Sequence, residues 1–205
     1  MNRPQEPSTC SRRRALSLLS LIPLSLAAHS AGAAARAVGA VSEVKGIAVA
    51  EIGDDRRPLA VRSALHLGET LSTGDNSRLK ALLARSANLS LSANARIRID
   101  RFIADSGTVA LTSGALLLDT AARSRSLTVT SPYGIIGTRG TRFFAGELGE
   151  NFRFVERGAV DVRAAGQTVR LRAGEGTDIA SIGARPGPVR RWGAEKIGRA
   201  MALVR

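Results

Sequence analysis

From Val38 onward apolar residues recur at every second position: Ile47 and Val49, Leu79, Ala81 and Leu83, Leu89 and Leu91, Ile97 and Ile99, Val109 and Leu111. The spacing continues at Leu116 and Leu118, Leu127 and Val129, Phe152 and Phe154, Val160 and Val162, and Val169 and Leu171. A period of two marks a strand with one buried face, because successive side chains point to opposite sides. Each run is short and ends in turn residues, such as Gly53-Asp54-Asp55, Thr73-Gly74-Asp75-Asn76, Ser92-Ala93-Asn94, Asp105-Ser106-Gly107 and Ala165-Gly166. These residue types take sharp backbone angles at little cost. The pattern predicts an all-β chain, with many short strands in a β-solenoid-like or sandwich-like double-layer body. It names Leu91, Ile97, Leu111, Leu118 and Val129 as core.

Parts of the pattern echo one another. Val44-Lys45-Gly46-Ile47-Ala48-Val49 is followed by Leu65-His66-Leu67-Gly68-Glu69. Further on, Glu156-Arg157-Gly158-Ala159-Val160-Asp161-Val162 is followed by Leu171-Arg172-Ala173-Gly174-Glu175, and Ser113-Gly114-Ala115-Leu116 is a weaker third copy. A glycine opening a strand and a Gly-Glu turn closing one fit stacked units of similar shape, or turn chemistry reused without true repetition. Arg185-Pro186-Gly187-Pro188 ends the β pattern. Beyond it, Trp192, Ile197, Ala200 and Met201 share one face of a helical spacing and Glu195, Lys196 and Arg199 are polar. The expectation is a short C-terminal helix capping one end of the β-body. A membrane-surface helix is the weaker reading, since only Trp192 and a few aliphatics are available to insert.

The first 35 residues read as a targeting segment. Arg3, Arg12, Arg13 and Arg14 precede an apolar run from Ala15 to Ala28, and small residues follow at Ala31, Ala33 and Ala35. That is the layout of a signal peptide. The run contains Pro23 and is short against the roughly 20 residues a membrane span needs, so no retained transmembrane helix is expected. Ser11-Arg12-Arg13-Arg14-Ala15-Leu16 approximates a twin-arginine signal without the usual Phe and Lys, which leaves the export route open. The plan is a signal peptide at 1–35, cleaved near Ala33 or Ala35, a β domain at 36–182, and a linker with an amphipathic helix at 183–205. The expected location is the periplasm.

The chain has 205 residues, 30 Lys and Arg against 17 Asp and Glu, and a net charge of +13. Removing residues 1–35 takes away four arginines and Glu6, leaving 26 basic against 16 acidic residues, net +10. Cys10 is the single cysteine and lies before the apolar run, so it is not a lipoprotein cysteine, and the mature part has none. A disulfide or a cysteine metal cluster is therefore excluded there. His66 is the one histidine left, no Gly-x-Ser-x-Gly elbow accompanies it, and the acids at Asp54-Asp55 and Asp75 are turn residues. No enzyme, cofactor or metal is expected. Arginines cluster at Arg96, Arg98 and Arg101, at Arg123 and Arg125, and at Arg190 and Arg191. Arg96 and Arg98 fall on the polar side of the strand bearing Ile97 and Ile99. They read first as a solvated face partly paired with Asp100 and Asp119. The alternative is a basic face for an anionic envelope glycan or lipopolysaccharide, nucleic acid being set aside for an exported chain.

One stretch breaks the alternation: Thr130-Ser131-Pro132-Tyr133-Gly134-Ile135-Ile136-Gly137-Thr138-Arg139-Gly140-Thr141-Arg142-Phe143. Glycine every third residue permits a bend, a positive φ or close backbone approach, so no plain strand is expected through it. Thr138 and Thr141 are expected to bond local backbone. Arg139 reads first as a tie between strands at a corner and, alternatively, as a contact to a partner or ligand. The candidate interaction motif is Gly137, Arg139, Gly140, Thr141, Arg142 and Phe143.

This stretch resembles the signature of FecR-type domains, apolar-Gly-x-Arg-Gly-Thr-x-Phe. Val155 to Val162, Leu171-Arg172-Ala173-Gly174-Glu175 and, upstream, Leu67 to Arg78 are similar to further segments of that family, so the likeness runs from about Val41 to Ile179. It implies an exported β-rich sensor or adaptor. In the signalling members the domain is the periplasmic half of a transmembrane anti-sigma regulator, addressed by an outer-membrane transducer. Only 14 residues precede the apolar run here, and the expectation is a stand-alone periplasmic domain. Its expected function is that of a non-enzymatic interaction or sensor module with a periplasmic or outer-membrane protein partner.

Overall fold

The computed structural model describes residues 37–103, 106–121, 126–138, 140–148 and 150–205. The segment read as a signal peptide, with Arg123, Arg125 and Arg139, lies outside the described residues. The chain starts with β1 (Ala37–Lys45) in a first sheet and crosses to the hairpin β2 (Ala48–Ile52) and β3 (Asp55–Pro58) in a second. It returns for β4 (Ala64–His66) and crosses again for β5 (Thr70–Thr73). The hairpin β6 (Arg78–Leu83) and β7 (Ala87–Leu91) follows in the first sheet, then β8 (Arg96–Ile103) and β9 (Ser106–Ser113) in the second. Single strand β10 (Ala115–Thr120) joins the first sheet, and β11 (Leu127–Ser131) and β12 (Gly134–Thr138) join the second. The chain continues with β13 (Arg142–Leu148) and β14 (Glu150–Arg157) in the first sheet and β15 (Ala159–Ala164) and β16 (Gln167–Arg172) in the second. It ends with β17 (Glu175–Ile179) and β18 (Arg190–Arg191) in the first sheet and helix α1 (Ala194–Ala202).

The result is an all-β sandwich. The first sheet has the order β18-β17-β14-β13-β10-β7-β6-β1-β4, and the second β16-β15-β12-β11-β9-β8-β5-β2-β3. Within each sheet neighbouring strands pair antiparallel, with one exception. Only β10 lies between β9 and β11, and these two pair parallel, with Val129 opposite Val109.

The alternation places the core as expected. Leu91, Ile97 and Leu118 are fully buried, and Leu111 and Val129 nearly so. The phase of β2 is the reverse of the expectation: Ile47 is 70% exposed while Ala48 and Ala50 are buried. Glu51 shares the parity of Ile47 and Val49 and pairs with Arg56 and Arg96 on the outside. Burying that carboxylate would cost more than exposing one isoleucine.

The echoed glycines mark where strands pass between sheets. Gly46, Gly114 and Gly158 all have positive φ, at 76°, 75° and 89°. Each lies against a second crossing, formed at Ser77, Ala95 and Thr141 respectively. The Gly-Glu turns also repeat in detail. Glu69 Oε2 accepts the His66 amide at 2.9 Å, and Glu175 Oε2 accepts the Arg172 amide at 2.8 Å.

Helix α1 lies on the outer face of the first sheet rather than on an end of the body. Leu116 and Leu118 point into the main core, while Leu117 points out and packs with Phe144, Phe154, Trp192, Ala200, Met201 and Val204 in a second cluster. Trp192 stacks on Phe154 with ring centroids 4.9 Å apart. Phe152 shares the alternation of Phe154, but its side chain lies outside the described residues.

Candidate functional site

The fold divides the signature stretch among three environments. Contrary to expectation, a regular strand does pass through its first part: β12 pairs with β11 and β15 along Gly134–Thr138. Gly137 sits on the outer side of that strand, opposite Thr128 and Asp161. Its φ is not positive and an added Cβ would meet nothing within 4 Å. Gly137 is thus not a close-approach glycine. The crossing to the first sheet is made at Gly140, with φ 64°. Thr141 is fully buried beyond it, and Phe143 lies in the main core opposite Leu118.

The crossing is held from behind by Thr120. Its hydroxyl accepts the Thr141 amide at 2.9 Å and donates to the Thr141 carbonyl at 3.1 Å. The buried hydroxyls of Thr138 and Thr141 have no hydrogen-bond partner among the described residues. Arg142 is tied on the outside of the first sheet. It donates to Glu156 at 2.8 Å and to Asp119 at 3.3 Å, and Asp119 also accepts Arg157 at 2.5 Å. Asp119 therefore serves Arg142 and Arg157, not the arginines of β8.

A buried arginine underlies the same stretch and was not anticipated. Arg153 is 2% exposed. It donates to Ser131 Oγ at 2.8 Å, and that hydroxyl donates to the Gly134 carbonyl at 3.1 Å. β14 of the first sheet thereby reaches the turn that opens β12 in the second. The signal was present in Phe152-Arg153-Phe154-Val155, a charge inside an apolar run, which a strand buried on both faces must bond internally.

The outer face of the second sheet brings together residues that lie far apart in sequence. Arg96 and Arg98 are exposed there, as expected. A bulge between Ile99 and Arg101 puts both Asp100 and Arg101 on the outer side and returns Phe102 to the core. Arg101 stands opposite Thr108, Thr108 opposite Thr128, and Thr128 opposite Gly137. In the next row Arg98 is followed by Ala110, Thr130, Ile135 and Arg163. The central strands thus form a floor of short side chains between long guanidinium side chains on β8 and on β15–β16. Arg96 pairs with Glu51 at 2.7 Å, Arg98 pairs with Asp100, and Arg170 approaches Asp161 only to 3.8 Å. Among the described residues no carboxylate pairs with Arg101 or Arg163. Arg190 and Arg191 lie on the first sheet and do not extend this face.

The remaining acid–base group is structural in geometry. Glu69 is 2% exposed, and it accepts Arg57 at 2.7 Å and His66 Nδ1 at 2.9 Å besides the His66 amide. Burial pushes its carboxyl up, but the hydrogen bonds from Arg57 and His66 outweigh burial and hold it below the ordinary 4.5. Among the described residues no three His, Cys, Asp or Glu side chains converge as a metal site would require.

Comparison with known proteins bears on this same region. The family model described as FecR protein matches residues 69–161, from the buried Glu69 to Asp161 on the open face. Two crystal structures of a candidate anti-sigma factor from Parabacteroides distasonis, at 1.65 and 2.50 Å resolution, share the fold with a TM-score of 0.55 and 16% identity. The match covers 63% of this chain and 62% of each of those, so the chain spans less than two thirds of their length. No curated protein matches it in sequence. The matched span is narrower than the Val41–Ile179 expected, although β1 to β4 complete the same sandwich. Residues 69–161, which carry the crossing at Gly140 and the centre of the open face, are the part of the chain that matches the FecR family model.

Proposed function

We propose that this chain is an exported, non-enzymatic sensor or interaction module, acting in the periplasm and passing a signal to a periplasmic or outer-membrane protein. The FecR match over residues 69–161 carries the reading. Two further features support it. The arginine-rich start, the apolar run and the Ala31, Ala33 and Ala35 spacing have the order of an export signal. The second sheet leaves one face broad and open, with room for a partner to bind.

The test is fractionation with N-terminal sequencing, followed by cross-linking in intact cells. The mature chain should be recovered from the periplasm, starting near Ala34 or Arg36, and cross-linked to one discrete envelope protein in fixed stoichiometry. A Lys-Lys replacement of Arg12-Arg13 that stalls export would assign the twin-arginine route. Recovery of a chain bearing Met1 in the cytosol would overturn the reading.

A further inference from the structure

We propose that the open face of the second sheet binds a linear, carboxylated polysaccharide, laid along the strands between its two arginine walls. The inference deepens the sensor reading and rests on its export step, because acidic polysaccharides are met outside the cytoplasm. The floor is Thr108, Ala110, Thr128, Thr130, Ile135 and Gly137, all on the outer side of β9, β11 and β12. Arg98 and Arg101 rise from β8 on one side, and Arg163 and Arg170 from β15 and β16 on the other. β8 and β15 are four strand spacings apart, about 19 Å, wide enough for an extended polymer.

The chemistry favours a glycan over a peptide. The backbone groups of the floor strands are used in their ladders, so no strand can add there. Ile135 is the floor's single large apolar side chain, which leaves a peptide few anchors. The floor offers hydroxyl groups, and the walls offer guanidinium, with Asp100 already answering Arg98 and Asp161 approaching Arg170. Hydroxyls match sugar hydroxyls, and guanidiniums hold carboxylates in two-pronged contact. Arg101 and Arg163, without carboxylate partners among the described residues, are the cations a polyanion would neutralise. The opposite sheet cannot offer the same surface, because α1 and its cluster cover part of it.

The test uses the purified protein with polygalacturonate as probe, beside neutral dextran and polyglutamate. Polygalacturonate should bind, with dextran and polyglutamate much weaker. Arg101→Ser with Arg163→Ser should weaken binding by about tenfold or more, one charge-assisted contact per guanidinium. Gly137→Glu should abolish it without loss of thermal stability, since the added side chain enters open space and places a negative charge on the floor. Arg190→Ser with Arg191→Ser removes the same charge from the other sheet and should leave binding intact. Equal loss in that control, or polyglutamate binding as tightly as polygalacturonate, would overturn the proposal. A failed binding assay leaves periplasmic recovery untouched, and cytosolic recovery leaves the binding result untouched, so the two readings fail separately.

Discussion

Replacing Gly158 with alanine tests the crossing that positions the signature stretch. Gly158 has φ 89° and connects β14 to β15. A Cβ there would lie 2.6 Å from Thr141 Cγ2, 3.1 Å from the Gly140 carbonyl oxygen and 3.2 Å from Thr141 Cα. The left-handed conformation costs a non-glycine residue about 1–2 kcal/mol. Forcing a methyl into a filled site adds about 1–3 kcal/mol. The stiffer unfolded chain returns about 0.4–1 kcal/mol. The net expectation is a loss of about 1–4.5 kcal/mol, which for a chain of this size lowers Tm by roughly 2–18 °C. Urea and thermal unfolding of the purified protein read this directly. Thr141→Ser removes the clashing Cγ2 and alone should cost about 1 kcal/mol for a buried methyl. Combined with Gly158→Ala, it should cost about 1 kcal/mol less than the two changes summed. Gly137→Ala is the control. With ordinary φ and no neighbour within 4 Å, it should be neutral or stabilising by up to about 1 kcal/mol. If Gly158→Ala melts with the wild type, or Gly137→Ala falls as far, the assignment of strain to the crossing is wrong.

Three other outcomes follow from the packing. Leu118→Ala should cost about 2–5 kcal/mol in urea unfolding, while Ile47→Ser should stay within about 0.5 kcal/mol, opposite to what the alternation in β2 implies. Glu69 titrates below 4.5 when folded, so its ionised form stabilises the fold above that pH, and the contribution fades as pH falls through the lowered folded value. Glu69→Gln should therefore cost about 1–3 kcal/mol at pH 7, with the melting curves of variant and wild type converging as the solution is acidified. Phe154→Ala should cost about 3–5 kcal/mol and loosen α1, seen as faster hydrogen exchange at Ala200 and Met201.

The strands were legible because a sandwich buries one side of most of them. Leu79, Ala81 and Leu83, or Ile97 and Ile99, announce their inner face by spacing alone. Spacing misleads where a charge shares the parity of the apolar residues. In β2, Glu51 goes out to its arginines and takes Ile47 with it. It is also incomplete where both faces are covered. The run Leu116-Leu117-Leu118 and the pair Phe143-Phe144 signal double burial, but what covers the second face is α1, remote in sequence. The signature stretch was recognisable as a unit, and the structure takes it apart. Gly137 belongs to an open face, Gly140 and Thr141 to a crossing, and Phe143 to the core of the other sheet. A chain that changes sheets at one residue carries no local mark of which face its neighbours will share. For the same reason Arg101 and Arg163 could not be placed on one surface from their positions in the chain. Four ladders between β8 and β15 put them there, and those pairings exist only in the folded sheet.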